Sequence, residues 1–264
     1  MEYIIFEKLA EAVKANKKAA LVSIVEEDGS TPGKQGFMMA VFDDGSTLGT
    51  IGGGNFEATV RSEALKYMKT GESKFLHFKL NEDGGLHMQC GGSASVFIKV
   101  FGKRNKLIIA GGGHIALELS RLGNTMDFHT VIFEDREEYG NNERFPGCEI
   151  VLGDIGEKLR DYSIDDDCYV VIVTRGHECD AAALKSAIGR GAAYVGMIGS
   201  RKKVRYVMDR FENEGYSKEE LEKVYAPIGL CLGGDTPAEI ALGIISEIML
   251  IKNNGTLKHM KDAR

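Results

Sequence analysis

The stretch that decides the fold is Leu107–Glu134, LIIAGGGHIALELSRLGNTMDFHTVIFE. Leu107 to Ala110 is a short apolar run of the kind that forms a buried parallel strand. Gly111, Gly113 and Ala116 then supply the G-x-G-x-x-G/A spacing, and Ile115, Leu117, Leu119 and Leu122 continue as a helix. A second apolar run, Val131 to Phe133, ends on the acid Glu134. Gly111 permits the tight strand-to-helix turn, Gly113 lets a pyrophosphate approach the backbone, and Ala116 lets the helix pack closely on the strand. The helix's free N–H groups and positive dipole end receive an anion. Glu134 is placed to accept hydrogen bonds from a ribose diol. Strand, helix, strand and acid in this order predict one half of a nucleotide-type Rossmann fold.

Downstream, strand and helix patterns alternate, which predicts a doubly wound parallel sheet. Glu149 to Leu152 reads as a third strand, Tyr169 to Thr174 as a buried strand and Ala181 to Ile188 as a helix. Tyr194 to Ile198 is a fifth strand. Ser200 to Glu214 reads as a helix whose first turn carries Arg201, Lys202 and Lys203, a charge order opposed to its own dipole unless those cations meet an anion. The last helix opens on Thr236-Pro237-Ala238-Glu239, an N-cap, a proline at the first position and a capping-box glutamate.

Upstream, residues 4–18 carry Ile5, Leu9, Ala12 and Val13 at helical spacing. Ala19 to Val25, Phe37 to Phe42, Phe75 to Leu80 and Ala94 to Phe101 read as strands, and a helix runs from about Phe56 to Met68 with Gly71 ending it. Gly102 to Asn105 is a polar link. The sequence therefore predicts an N-terminal α/β domain with a mixed sheet over 1–102 and a C-terminal Rossmann-like doubly wound domain over 106–264.

The 264 residues carry a net charge of -6, which leaves no basic footprint for nucleic acid. No apolar run approaches the ~18 residues of a membrane span. The N-terminus starts acidic and amphipathic, so it reads as neither signal nor transit peptide. Five cysteines with no C-x-x-C pair suit a reducing cytoplasm.

Four segments carry candidate chemistry. Cys90, in His87-Met88-Gln89-Cys90-Gly91-Gly92, is a thiol stripped of side-chain cover, suited to a soft metal or to sulfur handling; as a small apolar residue it equally suits the start of a strand. Gly49 to Gly54, with Glu57 in the following turn, reads as an anion cradle or as a tight strand-to-helix bend. In Thr174 to Asp180, at a strand's C-terminal end, His177 reads as a proton shuttle or ligand and Arg175 as an anion clamp. A structural histidine with Asp180 capping the helix accounts for the same letters. Gly196 to Lys202, with Ser200 and Arg201, suits a phosphate. His114, inside the glycine turn, reads as a packing or capping residue. No nucleophile elbow, HExxH helix or P-loop is present.

Taken together, these segments resemble the xanthine dehydrogenase accessory factor family (XdhC/CoxI-like). The resemblance rests on Gly29-Ser30-Thr31-Pro32, Asp44-Gly45, Gly49-Thr50-Ile51-Gly52-Gly53-Gly54 with Glu57, and Cys90-Gly91-Gly92. In the C-terminal half it rests on GGGHIA from Gly111, on Glu134-Asp135-Arg136 with Phe145-Pro146, and on Thr174 to His177 with Asp180. Ile198 to Lys203, Ala226 to Leu230 and Thr236 to Ile240 complete it. It covers nearly the whole chain. It implies a cytoplasmic maturation factor, a chaperone rather than a metabolic enzyme. Such a factor binds molybdenum cofactor, presents it to a cysteine desulfurase for exchange of an oxo ligand by sulfur, and passes it to a xanthine dehydrogenase-type hydroxylase. A homodimer is also implied. Residue by residue, it implies Ser30, Thr31, Gly52, Gly53, Gly54 and Cys90 at the molybdenum cofactor, with Cys90 nearest the metal. Gly111, Gly112, Gly113, His114, Glu134, Arg136, His177, Ser200 and Arg201 are the candidates for NAD or another nucleotide. The chain departs from the family pattern at four places. Gly33 stands for a usual Arg, Phe56 for Leu, Glu134 for Asp and Tyr225 for His.

Two other functions fit parts of the chain. An NAD-dependent oxidoreductase, with the N-terminal half as substrate domain, needs a proton-transfer residue, and His177 is its only candidate. A nucleotide-sensing or purely structural module needs neither.

Overall fold

The computed structural model describes residues 2–80 and 91–262. The chain divides into two compact units, Met1–Lys103 and Arg104–Arg264.

In the first unit a five-stranded sheet is built from β1 (Ala19–Asp28), β2 (Met38–Phe42), β3 (Thr47–Gly49), β4 (Lys74–Lys79) and β5 (Ser93–Phe101), in the order β3-β2-β1-β5-β4. The α/β class holds, but every pairing is antiparallel rather than mixed. The cause is the connections. β1–β2 and β2–β3 are joined by links too short for a parallel crossover, and β4 runs antiparallel to β5. The β3–β4 connection carries helix α2 (Gly54–Thr70) from one sheet edge to the other. The alternation of β1 sends Ala20, Val22 and Ile24 to α2, whose Phe56, Val60, Ala64 and Met68 recur every fourth residue. Ala19 faces the opposite side, where α1 (Glu2–Lys14) buries Ile5, Leu9 and Ala12. Phe56 meets Phe78 edge to face at 5.6 Å, so the larger ring in place of a leucine is packed rather than tolerated. Gly71, left-handed at φ 77°, ends α2 as the sequence predicts.

The second unit is a six-stranded parallel sheet of β6 (Lys106–Ala110), β7 (His129–Glu134), β8 (Glu149–Leu152), β9 (Cys168–Ile172), β10 (Tyr194–Met197) and β11 (Val224–Tyr225), in the order β11-β10-β9-β6-β7-β8. Renumbered within the unit, this is the 3-2-1-4-5-6 order of a Rossmann fold. Ile108, Ala110, Val170 and Ile172 face α4 (Ile155–Asp161), α5 (His177–Ala187) and α6 (Arg201–Asn213). Their neighbours Leu107, Ile109 and Val171 face α3 (His114–Thr125) and α8 (Pro237–Lys252). The strands are buried on both faces, hence their continuous apolar runs. Short α7 (Lys218–Glu222) precedes β11. α8 begins with the full capping box, Thr236 and Glu239 each accepting from the other's backbone N–H, and with Pro237 at its start. Tyr225, where histidine is usual, stacks on Tyr194 at 4.8 Å. Among the described residues, no helix is long and apolar enough to cross a membrane.

Candidate functional site

Each unit contains a glycine-rich turn that feeds a helix with no side-chain cap. In the first unit the turn joins β3 to α2. Gly52, at φ 120°, has no room for a side chain, because a Cβ there would lie 2.5 Å from backbone atoms of Pro32 and Gly33. A Cβ on Gly33 would in turn strike the Ile51 carbonyl and the Ile24 side chain. The glycine that replaces the family's usual arginine is thus demanded by close backbone packing, and Lys34 beside it pairs with Glu27 at 3.3 Å instead. A Cβ on Gly92 would fall on the carbonyl oxygens of Asp28 and Ser30. Three motifs far apart in sequence, residues 29–33, 49–54 and 91–92, therefore meet at one place. Thr31 turns inward, its hydroxyl 2.7 Å from the Gly33 carbonyl oxygen and 2.9 Å from Glu27 Oε2. Ser30 is exposed. Cys90 and His87 lie outside the described residues.

Glu57 fixes this turn from behind. Its Oε2 accepts from the Thr50 hydroxyl at 2.5 Å, Ile51 N at 3.0 Å and Gly53 N at 3.1 Å. Burial raises its pKa, but these three hydrogen bonds outweigh that and hold it below the ordinary glutamate value. Part of the expected anion cradle is thus filled by the chain's own carboxylate. The outer side stays open, since a Cβ at Gly53, Gly54 or Gly91 would meet no described atom within 4 Å.

In the second unit, Gly111 at φ 110° sits where a Cβ would lie 2.6 Å from the Val173 carbonyl oxygen, so the turn presses on the exit of β9. Gly112 is enclosed as well, a Cβ there lying 2.7 Å from Tyr139 O and 2.9 Å from Glu134 Oε2. Gly113 is open and His114 exposed. Glu134, only 2% exposed in its side chain, points back into the turn. Its Oε2 accepts from Gly112 N (2.6 Å) and Arg136 Nη2 (3.1 Å). Its Oε1 accepts from Asp135 N (3.1 Å), Arg136 N (3.2 Å) and Arg136 Nε (2.9 Å). Burial pushes its pKa upward, yet the donors, Arg136 foremost, hold it at about 2.

At the exits of β9 and β10, Gly176 opens α5 without a side-chain cap and Ser200 caps α6, its Oγ accepting from Lys203 N at 3.3 Å. Asp180 is not the helix cap that the sequence allowed, because α5 starts three residues earlier, at His177. It is a fully buried carboxylate that accepts from Thr174 N (3.1 Å) and the Thr174 hydroxyl (2.6 Å) and pairs with Lys203. One of the three first-turn cations of α6 thus finds its anion inside the fold. Gly176, His177, Ser200, Lys202, Lys203 and Tyr206 line an open cleft of about 570 Å³. His177 is 61% exposed, with Glu178 3.6 Å away. Arg175 bonds Asp135 at 2.8 Å rather than standing free. Burial pushes the thiol of Cys168 up to about 11 and raises that of Cys148, so neither is a thiolate at neutral pH.

Residues 12–79 match the XdhC and CoxI family, and residues 107–248 match the XdhC Rossmann domain. Among curated proteins, an uncharacterized Escherichia coli K12 protein, YqeB, is 32% identical over 95% of this chain and 46% of its own length. A Bacillus subtilis protein described as a probable xanthine dehydrogenase subunit is 22% identical over 60% of this chain and 46% of its own. The molybdenum cofactor insertion chaperone PaoD of Escherichia coli K12 is 21% identical over 92% and 86%. The chain spans about half the length of the first two. A crystal structure described as a xanthine dehydrogenase from Bacillus halodurans, 19% identical, covers 96% of this chain and 97% of its own with a TM-score of 0.52, which supports the fold alone.

Proposed function

Because the chain belongs to the XdhC and CoxI family, we propose that it is a chaperone, not a metabolic enzyme, that binds molybdenum cofactor and delivers it to a xanthine dehydrogenase-type hydroxylase in the cytoplasm. The observation that carries this reading is the meeting of three glycine motifs in the first unit, with Gly53, Gly54 and Gly91 facing open space. Bare backbone next to a helix's uncapped positive end suits a planar, phosphorylated metallopterin, which needs close approach and N–H donors. Cys90 adjoins that face in sequence and is the thiol assigned to the metal. Ser30 and Thr31 stand on the loop that packs against Gly52.

In the second unit, Lys202 of the α5–α6 cleft, with His177 and Tyr206 beside it, offers charge and ring surface to a phosphate ester, while Lys203 is held by Asp180. While bound, the cofactor meets a cysteine desulfurase, which exchanges an oxo ligand for sulfur. The chaperone works as a homodimer. The name of the relative PaoD supports the cofactor assignment and that of the Bacillus subtilis relative the client. Reconstitution of a cofactor-free molybdenum hydroxylase, with the cofactor supplied in limiting amount, tests the proposal. Activity should recover faster and further when this chain is present, and equal recovery without it contradicts the reading.

A further inference from the structure

A parallel sheet in the 3-2-1-4-5-6 order, with G-x-G-x-x-A at its first turn and an acid closing its second strand, is the frame on which adenine dinucleotides are held. In that arrangement the acid's free oxygens take the ribose diol. The residues here do not fit that role. A carboxylate has about four lone-pair sites, and Glu134 already accepts five hydrogen bonds from fixed neighbours, namely Gly112, Asp135 and the backbone and guanidinium of Arg136.

The space beyond β7 is also taken. The segment after Glu134 folds back over the turn, placing the Tyr139 carbonyl against Gly112 and bringing Arg144 Nε to 3.1 Å from the Gly112 carbonyl oxygen. The guanidiniums of Arg136 and Arg144 lie 3.9 Å and 5.3 Å from the centre of the Tyr139 ring. Gly140 closes over Glu134 itself, where a Cβ would lie 3.1 Å from the glutamate's own Cβ. Arg136, Arg144 and Tyr139 of this chain thus pack together over the glycine turn.

We infer that the crevice over the β6 turn rejects adenine dinucleotides, and that Glu134 is a positioning residue that locks the glycine turn instead of a ribose ligand. The inference goes beyond the molybdenum-cofactor reading and does not depend on it. Calorimetric titration of the full chain with NADH, NADPH and AMP tests it. The expected result is no Kd tighter than about 100 µM for any of the three, and a tighter one overturns the inference. The amide resonance of Gly112 gives a second readout. It should stay in place when NAD is added at millimolar concentration, whereas a shift would show the Glu134 carboxylate leaving it for the ribose. Molybdenum-cofactor retention, measured on the same preparation, separates the two ideas. Failure to retain cofactor sinks the chaperone reading alone, and dinucleotide binding sinks this inference whatever the cofactor does.

Discussion

The β3–α2 turn and the β6–α3 turn are the same device put to opposite ends. Both are glycine-rich, both open a helix without a side-chain cap, and in both a glutamate reaches back to occupy turn N–H groups. The second is sealed. Its acid is buried, bonded to an arginine and covered by the following loop. The first keeps a less buried acid to which, among the described residues, no arginine is hydrogen-bonded, and leaves two consecutive glycines facing outward. A glycine fingerprint therefore marks a tight backbone turn in each unit. Whether the turn is left for a ligand depends on what the chain itself puts there.

That contrast can be broken by substitution. The largest effects belong to the enclosed glycines. Gly52→Ala and Gly112→Ala should each cost about 3 kcal/mol in urea unfolding, because the new Cβ meets backbone that cannot give way. Gly113→Ala, with open space around it, should stay within about 1 kcal/mol of the parent chain. Equal costs at positions 112 and 113 would contradict the sealed turn.

Glu134→Gln should cost a similar amount, roughly 3 kcal/mol, from a pKa lowered from 4.5 to about 2. The sign follows from the direction of that shift. A carboxyl whose pKa is lower folded than unfolded stabilises fully above the unfolded value. That contribution fades as pH falls from about 4.5 toward 2. Unfolding midpoints of the parent chain should therefore drop across that window, and the variant should show a flatter profile. Glu57→Gln should cost less, about 1 kcal/mol, since its carboxylate is more exposed and holds neutral donors only. A larger loss at Glu57 than at Glu134 would reverse the ranking of the two turns.

Much of this was legible in the letters. The β6–α3–β7 unit, the Gly71 stop and the Thr236 capping box follow from local spacing and backbone preference, and they stand where the sequence puts them. What escaped was either short or tertiary. β3 has three residues, β11 two, and α4 is the seven-residue IGEKLRD, too brief for a periodic signal. The five hydrogen bonds on Glu134 depend on where Arg136 and Gly112 come to rest, and the burial of Asp180 against Lys203 depends on two helices packing side by side. The glycines at 33, 52 and 92 were visible, but nothing local tells that each excludes a Cβ because backbone from a distant stretch of the chain packs against it.

Molybdenum cofactor retained per chain, compared between Gly53→Ala and Gly113→Ala with the folded fraction measured for both, tests the division between an open and a sealed turn most directly. Retention should fall about fivefold or more in Gly53→Ala and match the parent chain in Gly113→Ala. Undiminished retention in Gly53→Ala, or a loss confined to Gly113→Ala, would contradict it.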